Sequence, residues 1–421
     1  LNAIAEQTGQ LTQAQVERVI AAFADEMDVS AKRVLVVAPD HTRTCPLPQV
    51  ARLLRRHVGE RAAAMDFLIA LGTHPPMTEA MIDKLFGVAP GQRPAEFPGS
   101  RFINHDWQNP AELRTVGKLT ADQVREITGG LFAMDVDVTI NRRVFEYDRV
   151  LIVGPVFPHE VVGYSGGAKY FFPGICGPEL LNFFHWLGAV ITCPKIIGNK
   201  DTAVRRCLHA ALDLVKVRSG ALCMVVAGHE LTGLFGGEVK EAWSAAADLS
   251  SKVHVKWVDK PFSSVLARAP EMYDELWVGA KCMYKMEPVV ADGGELIIYA
   301  PHIREISVTH GRLIEQIGYH CRDYFLADWE RFKKLPWGVL AHSTHVRGIG
   351  TCKDGCEKPR INVTLATGIA EHTCRAVNLG YRDPASIDIS QWQNRESQGR
   401  LYVPKAGEML YKLTNGPDWQ R

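Results

Sequence analysis

Arg33-Val34-Leu35-Val36-Val37-Ala38-Pro39-Asp40 is an apolar run that stops at a proline and a carboxylate. Its length, its β-branched content and its lack of helical spacing predict a strand buried on both faces. Outward from it the pattern alternates. Upstream, Thr12-Gln13-Ala14-Gln15 fits a capping box, and Val16, Val19, Ile20 and Phe23 follow at helical spacing. Downstream come a helix over 47–58, a strand over 64–70 ending at Gly72, and a helix over 77–86. A strand over 149–153, a glycine-containing segment from Gly154 to Gly177, a helix over 202–215 and a strand over 221–226 continue the series. Such alternation predicts an α/β fold, a mostly parallel sheet flanked by helices.

A shift near Asp259-Lys260-Pro261 begins a second α/β set, with strands over 275–278 and 295–299 and helices near 284–291, 312–317 and 326–334. At roughly 150 residues per domain, 421 residues fit two or three domains. The expected division is 1–262, completed by 394–421, and 263–393, closing over a substrate in a cleft between the two. Lys+Arg 48 against Asp+Glu 47 leaves a net charge of +1, which gives no basic surface for nucleic acid. No apolar stretch approaches the ~18 residues of a membrane span. Leu1-Asn2-Ala3-Ile4 carries no basic region leading into an apolar run, so no secretory signal is expected. Ten cysteines are too sparse for a disulfide framework and predict a reducing, cytoplasmic setting.

In open parallel sheets, ligands bind beyond the carboxyl ends of the strands. Three strand-terminal loops here are dense in polar residues. Pro39-Asp40-His41-Thr42-Arg43-Thr44-Cys45-Pro46 sets an Asp and an Arg three apart. That pair is either an arginine fork oriented on an anion or an Asp cap beside a surface Arg. Leu71-Gly72-Thr73-His74-Pro75-Pro76-Met77-Thr78 aims an imidazole at the same crevice, as a catalyst or as a satisfied structural residue. Asn104-His105-Asp106-Trp107 reads equally as a supporting element or a capping turn.

The third loop runs from Pro158-His159-Glu160 into Gly163-Tyr164-Ser165-Gly166-Gly167-Ala168-Lys169, with His185 sixteen residues beyond Lys169. A Ser-Gly-Gly turn lets backbone amides approach a phosphate closely. Lys169 beside it is either a counter-ion or, if desolvated, a nucleophile. The Gly-x-x-x-x-Gly-Lys order of a P-loop is absent, as is Gly-x-Gly-x-x-Gly after a strand. Cys352-Lys353-Asp354-Gly355-Cys356 has no second cysteine pair at zinc spacing and reads as a turn with two thiols. Neither His159-Glu160 nor His229-Glu230 is followed by the second His of a zinc peptidase.

Taken in order, Asp40-x-Thr42-Arg43, Gly72-Thr73-His74-x-Pro76-Met77-Thr78, Asn104-His105-Asp106, Pro158-His159, Ser165-Gly166-Gly167-x-Lys169 and His185 resemble the nickel-pincer nucleotide lactate racemase family of 2-hydroxy-acid racemases and epimerases. The resemblance implies an isomerase working with nickel held by a pyridinium-3,5-bisthiocarboxylic acid mononucleotide. It implies Lys169 as the covalent anchor, His185 as the protein ligand to nickel, and Ser165, Gly166, Gly167 and Thr42 at the nucleotide. His74 and His159 would alternate as general base and acid. Arg43 would hold the substrate carboxylate, with Asp40 orienting that arginine or a histidine. Hydride loan and return, rather than α-proton abstraction, would invert the carbon. Implied partners are a small 2-hydroxy acid and the enzymes that make the cofactor, with a homo-oligomer compatible.

Members acting on lactate carry an Asn-x-Tyr-Gln-x-x-Lys segment. Lys281-Cys282-Met283-Tyr284-Lys285-Met286-Glu287-Pro288 keeps Tyr284 but sets Lys285 for Gln and Pro288 for Lys. The departure points from lactate towards a dicarboxylate such as malate, or a sugar acid, bound by Tyr284 and Lys285 with Lys281 and Arg304 nearby. The alternative for Lys285 is a solvated helix charge. Two other functions use the same residues: a metal- or nucleotide-assisted lyase or hydrolase, and a non-catalytic ligand-binding homologue. The last needs neither the lysine nor the metal ligand.

Overall fold

The computed structural model describes residues 3–420, which divide into two compact units. The first runs up to Phe157 and adds Tyr164–Leu181 and Lys200–Val253; the second takes Pro158–Gly163, Asn182–Asn199 and everything from His254 onward.

In the first unit one sheet is built from Ala3–Glu6 (β1), Arg33–Pro39 (β2), Ala64–Ala70 (β3), Phe102–Asn104 (β4), Arg149–Pro155 (β5), Ser219–Ala227 (β6) and Glu230–Gly237 (β7). Its order is β1-β7-β6-β5-β2-β3-β4. The pairings from β6 through β4 are parallel, and only β7 runs antiparallel to its neighbours. The opening run 33–39 is buried from Val34 onward, as its unbroken apolar character requires. Helix α1 (Gln13–Glu26) starts at the Thr12–Gln15 capping box and buries Val16, Val19, Ile20 and Phe23. Phe67, Phe86, Phe97 and Phe102 form an edge-to-face and stacked cluster, with centroids 4.7–6.0 Å apart, that fixes β3 and so the loop after it.

From β2 the chain steps one way to β3 and β4, and from β5 the other way to β6. The junction of β2 and β5 is therefore the switch point where open sheets place ligands. The registers Pro39↔Ala70 and Val37↔Ile152 set Asp40, Leu71 and Pro155 at one level of the sheet. The loops carrying Arg43 and His74, together with the segment leading to Lys169, all leave from that level.

The second unit has a parallel sheet of Phe262–Arg268 (β8), Val290–Ala300 (β9), Asn362–Thr367 (β10), Gly380–Tyr381 (β11) and Arg400–Val403 (β12), in the order β11-β10-β9-β8-β12. Several expectations are corrected here. β12 pairs with β8, so the described part of 394–421 belongs to this unit and does not complete the first. Residues 276–279 are helical: Leu276 and Trp277 donate their N–H groups to Glu305 and Ile306, outside any strand ladder. The helix expected over 284–291 ends at Tyr284, because the chain enters β9 at Val290. The helix expected near 326–334 is two short ones, Arg322–Ala327 and Trp329–Phe332. β8 was not expected, since Ser263-Ser264 interrupts its apolar character.

Tyr170 lies across β5. A Cβ at Gly154 would meet the Tyr170 phenol at 2.3–2.4 Å, so this strand position admits no side chain. Gly154→Ala is expected to cost about 1–3 kcal/mol by overpacking. Urea denaturation of parent and variant measures it; equal midpoints would contradict the contact.

Candidate active site

Asp40 is buried at the end of β2, 3% exposed. Its Oδ1 accepts the Thr42 N–H at 3.0 Å and the Thr42 hydroxyl at 2.6 Å. Its Oδ2 stands 2.5 Å from His74 Nδ1. Burial pushes this carboxyl's pKa up, but the charge and hydrogen bond of His74, the Arg43 guanidinium and the Thr42 hydroxyl outweigh it and hold it well below the usual range. A carboxylate facing Nδ1 places that nitrogen's proton, so Nε2 of His74 is the nitrogen left for chemistry. Asp40 hydrogen-bonds the histidine, and the Arg43 charge also lowers its pKa. Arg43's charge also acts on Tyr170, whose hydroxyl burial holds strongly in its neutral form.

The Lys169 loop is tied back to the sheet. Ser165 donates its hydroxyl to the Pro155 carbonyl at 3.1 Å and accepts the Phe157 N–H at 2.9 Å. Gly166 and Gly167 take φ +81° and +56°, and Cβ atoms there would meet Val156 at 2.5 Å and Trp243 at 2.6 Å. The two glycines, expected to open amides to a phosphate, are thus demanded by packing and backbone conformation. Lys169 sits in the 3-10 turn Gly167–Tyr170. Its carbonyl accepts the Gly174 N–H at 3.1 Å, and the Gly174 carbonyl accepts the Gly72 N–H at 2.9 Å. Two hydrogen bonds therefore join the His74 loop to the Lys169 loop. Nearby His105 is structural: it faces the Cys176 carbonyl through Nε2 at 3.1 Å and Asn141 through Nδ1 at 3.1 Å, and burial holds its pKa down to about 4.

The second unit holds the other expected residues. His159 is 9% exposed; its Nδ1 accepts the Val161 N–H at 3.2 Å and lies 3.3 Å from Glu160 Oε2. His185 is half-buried on α2 (Pro178–Ile191). Its charge acts on two histidines that the sequence reading missed, His342 and His345 on α3 (Trp337–Arg347). Their i,i+3 spacing, readable in the sequence, puts them on one helix face. Burial lowers the pKa of His342 to about 3 and of His345 to about 4, with Glu160 opposing at His345. His342 stacks on Trp277 at 3.9 Å, and Tyr284 meets His345 edge-on at 6.1 Å. His345 also lines a small cavity with the fully buried Glu287.

Lys285 corrects the sequence reading. It is not a solvated charge: it is 3% exposed, and its ammonium donates to the Gly407 and Glu408 carbonyls at 2.6 and 3.2 Å. Cys352 and Cys356 sit opposite Glu357 and Lys353 in a hairpin, so their side chains leave on opposite faces and cannot share a metal. No helix among the described residues is long and apolar enough to cross a membrane.

Residues 6–196 match the lactate racemase N-terminal domain. A protein from Thermotoga maritima of known crystal structure is 34% identical, with a TM-score of 0.89 over 97% of this chain and 100% of that one. Residues 6–196 thus form a lactate racemase N-terminal domain. The lactate racemase of Thermoanaerobacterium thermosaccharolyticum is 23% identical over 64% of this chain, and that of Lactiplantibacillus plantarum 22% over 66%. These matches span 60% and 62% of the two relatives' own lengths. The apoprotein structure of the Thermoanaerobacterium enzyme shares the fold, with a TM-score of 0.71 at 18% identity over 96% of this chain and 94% of that one. In this chain, as expected from the motifs, the mostly parallel α/β architecture holds.

Because the Asp40 pKa is depressed in the folded state, its contribution is complete above the unfolded value of ~3.9 and fades below it. Asp40→Asn should be less stable than the parent by about 1–3 kcal/mol at pH 7. The gap should persist down to about pH 4 and narrow in more acid solution. Urea titrations across pH check this; a gap that closes between pH 8 and 6 would contradict it.

Proposed function

We propose that the chain is a racemase or epimerase of 2-hydroxy acids. The observation that carries this is the buried Asp40 carboxylate on His74 Nδ1 at 2.5 Å, in a lactate racemase N-terminal domain at the switch point of its sheet. His74 and His159 are set up in complementary ways. With Nδ1 turned to Asp40, His74 leaves Nε2 as a base for a substrate hydroxyl proton, and the carboxylate stabilises the imidazolium that results. With Nδ1 accepting the Val161 N–H, the neutral His159 ring carries its hydrogen on Nε2, and as an acid it would act from the imidazolium form. Glu160, 3.3 Å from Nδ1, would steady His159 when it in turn becomes charged. A reaction that runs in both directions needs one group of each kind, exchanging roles on reversal.

The residues fit the family's cofactor. An imidazole suits nickel, so His185 would hold the metal and the pincer would bring its remaining donors. Lys169 would anchor that pincer nucleotide, with Thr42, Ser165, Gly166 and Gly167 shaping the loops around it. When bound, the group supplies a reversible acceptor for the C2 hydrogen with its electron pair. Arg43 would bind the substrate carboxylate as a fork. The commitment of Lys285 to carbonyls withdraws its support for a dicarboxylate. Tyr284, edge-on to His345 within the second unit, stays a proposed substrate-binding residue. The enzymes that build the cofactor would be obligatory partners.

His74→Gln and His159→Gln should each lower kcat for racemisation by ~10²–10⁴-fold with little change in KM. Polarimetry on cofactor-loaded protein with enantiopure lactate, malate, phenyllactate and gluconate checks this. Near-normal turnover in both variants, or no inversion of any acid, would overturn the reading.

A further inference from the structure

We propose that Trp243 and Arg205 are positioning residues that clamp the loop bearing Lys169, an inference that rests on Lys169 being the reactive lysine of the site. Both lie outside residues 6–196 covered by the family domain. They come from two helices, Ala203–Asp213 and Val239–His254. Trp243, 4% exposed, donates its indole N–H to the Ser165 carbonyl at 3.0 Å. A Cβ on Gly167 would meet the Trp243 Cβ at 2.6 Å and the ring at 2.9 Å, so the turn is pressed against the indole. Arg205, 2% exposed, stands 4.0 Å over the same indole and donates to the Tyr164 carbonyl. His209 meets the ring edge-on at 5.5 Å.

Residues on both sides of Gly166 are thus held by two side chains that also hold each other. Burying a guanidinium is costly, and here the cation–π contact and the Tyr164 carbonyl offset that cost. Ser165 has its hydroxyl tied to Pro155 and Phe157 at the same time. The turn that ends in Lys169 therefore has little freedom, and the clamp fixes where the Lys169 side chain starts. Displacement of a reacting group by about 1 Å can cost ~10²-fold in rate.

Two conservative variants test this. Trp243→Phe keeps a ring against Gly167 and removes the N–H; Arg205→Lys keeps the charge and removes the planar fork. In protein whose Lys169 is unmodified by mass, acetic anhydride labels Lys169 in competition with the exposed Lys118, and peptide mass spectrometry gives the ratio. Each variant should stay folded with Tm lower by ~2–4 °C. The Lys169:Lys118 ratio should change by about threefold or more, the size of half a pKa unit. In loaded enzyme kcat should fall on the order of 10-fold with KM within about twofold. If either variant fails to fold, the other decides. A lowered Tm with unchanged labelling ratio and unchanged kcat would show core packing alone and overturn the clamp. Failure of the loaded parent to invert any 2-hydroxy acid would sink the proposed function instead, and the labelling ratio would still judge the clamp.

Discussion

A carboxylate buried at the end of a parallel strand must be compensated, and the compensation of Asp40 organises the loops around it. Removing an ionised group from water costs several kcal/mol unless partners replace the lost hydration. Those partners come from two places: Thr42 and Arg43 in its own loop, and His74 in the loop after β3. The pair therefore staples adjacent strand ends together. From the His74 loop, the hydrogen bonds from Gly72 to Gly174 and from Gly174 to Lys169 carry the connection to the third loop. Fixing one charge at the switch point thus fixes the imidazole direction and the lysine's turn.

Sequence supplied the parts of this arrangement but not the connections. Apolar runs ending at Pro39 and Ala70 announce the strands, and Thr12 announces a helix start through capping, because these are local effects. That Asp40 would bond His74 depends on two loops thirty-four residues apart and is not written in either.

The second unit was harder to read for the same reason. Residues 158–163 and 182–199 interrupt a first-unit stretch, and α2 from Asn182 onward belongs to the second unit, where Trp186 stacks on Trp329 at 5.0 Å and meets Phe325 edge-on. Only long-range packing decides that. A lysine in an amphipathic stretch looks solvated, and nothing local reveals that Lys285 ends against carbonyls more than a hundred residues away. His342 and His345 belong to no strand-end motif; their helical spacing was the available signal.

The proposed acid–base pair would account for proton traffic at a hydroxyl, whereas inversion itself turns on how hydrogen leaves carbon. The decisive measurement starts from an enantiopure 2-hydroxy acid deuterated at C2 and follows its turnover by the loaded enzyme in ordinary water. Hydride loan and return requires the opposite enantiomer to appear with its deuterium retained. Exchange of that deuterium for solvent protium during inversion would mean proton abstraction from carbon and would contradict it.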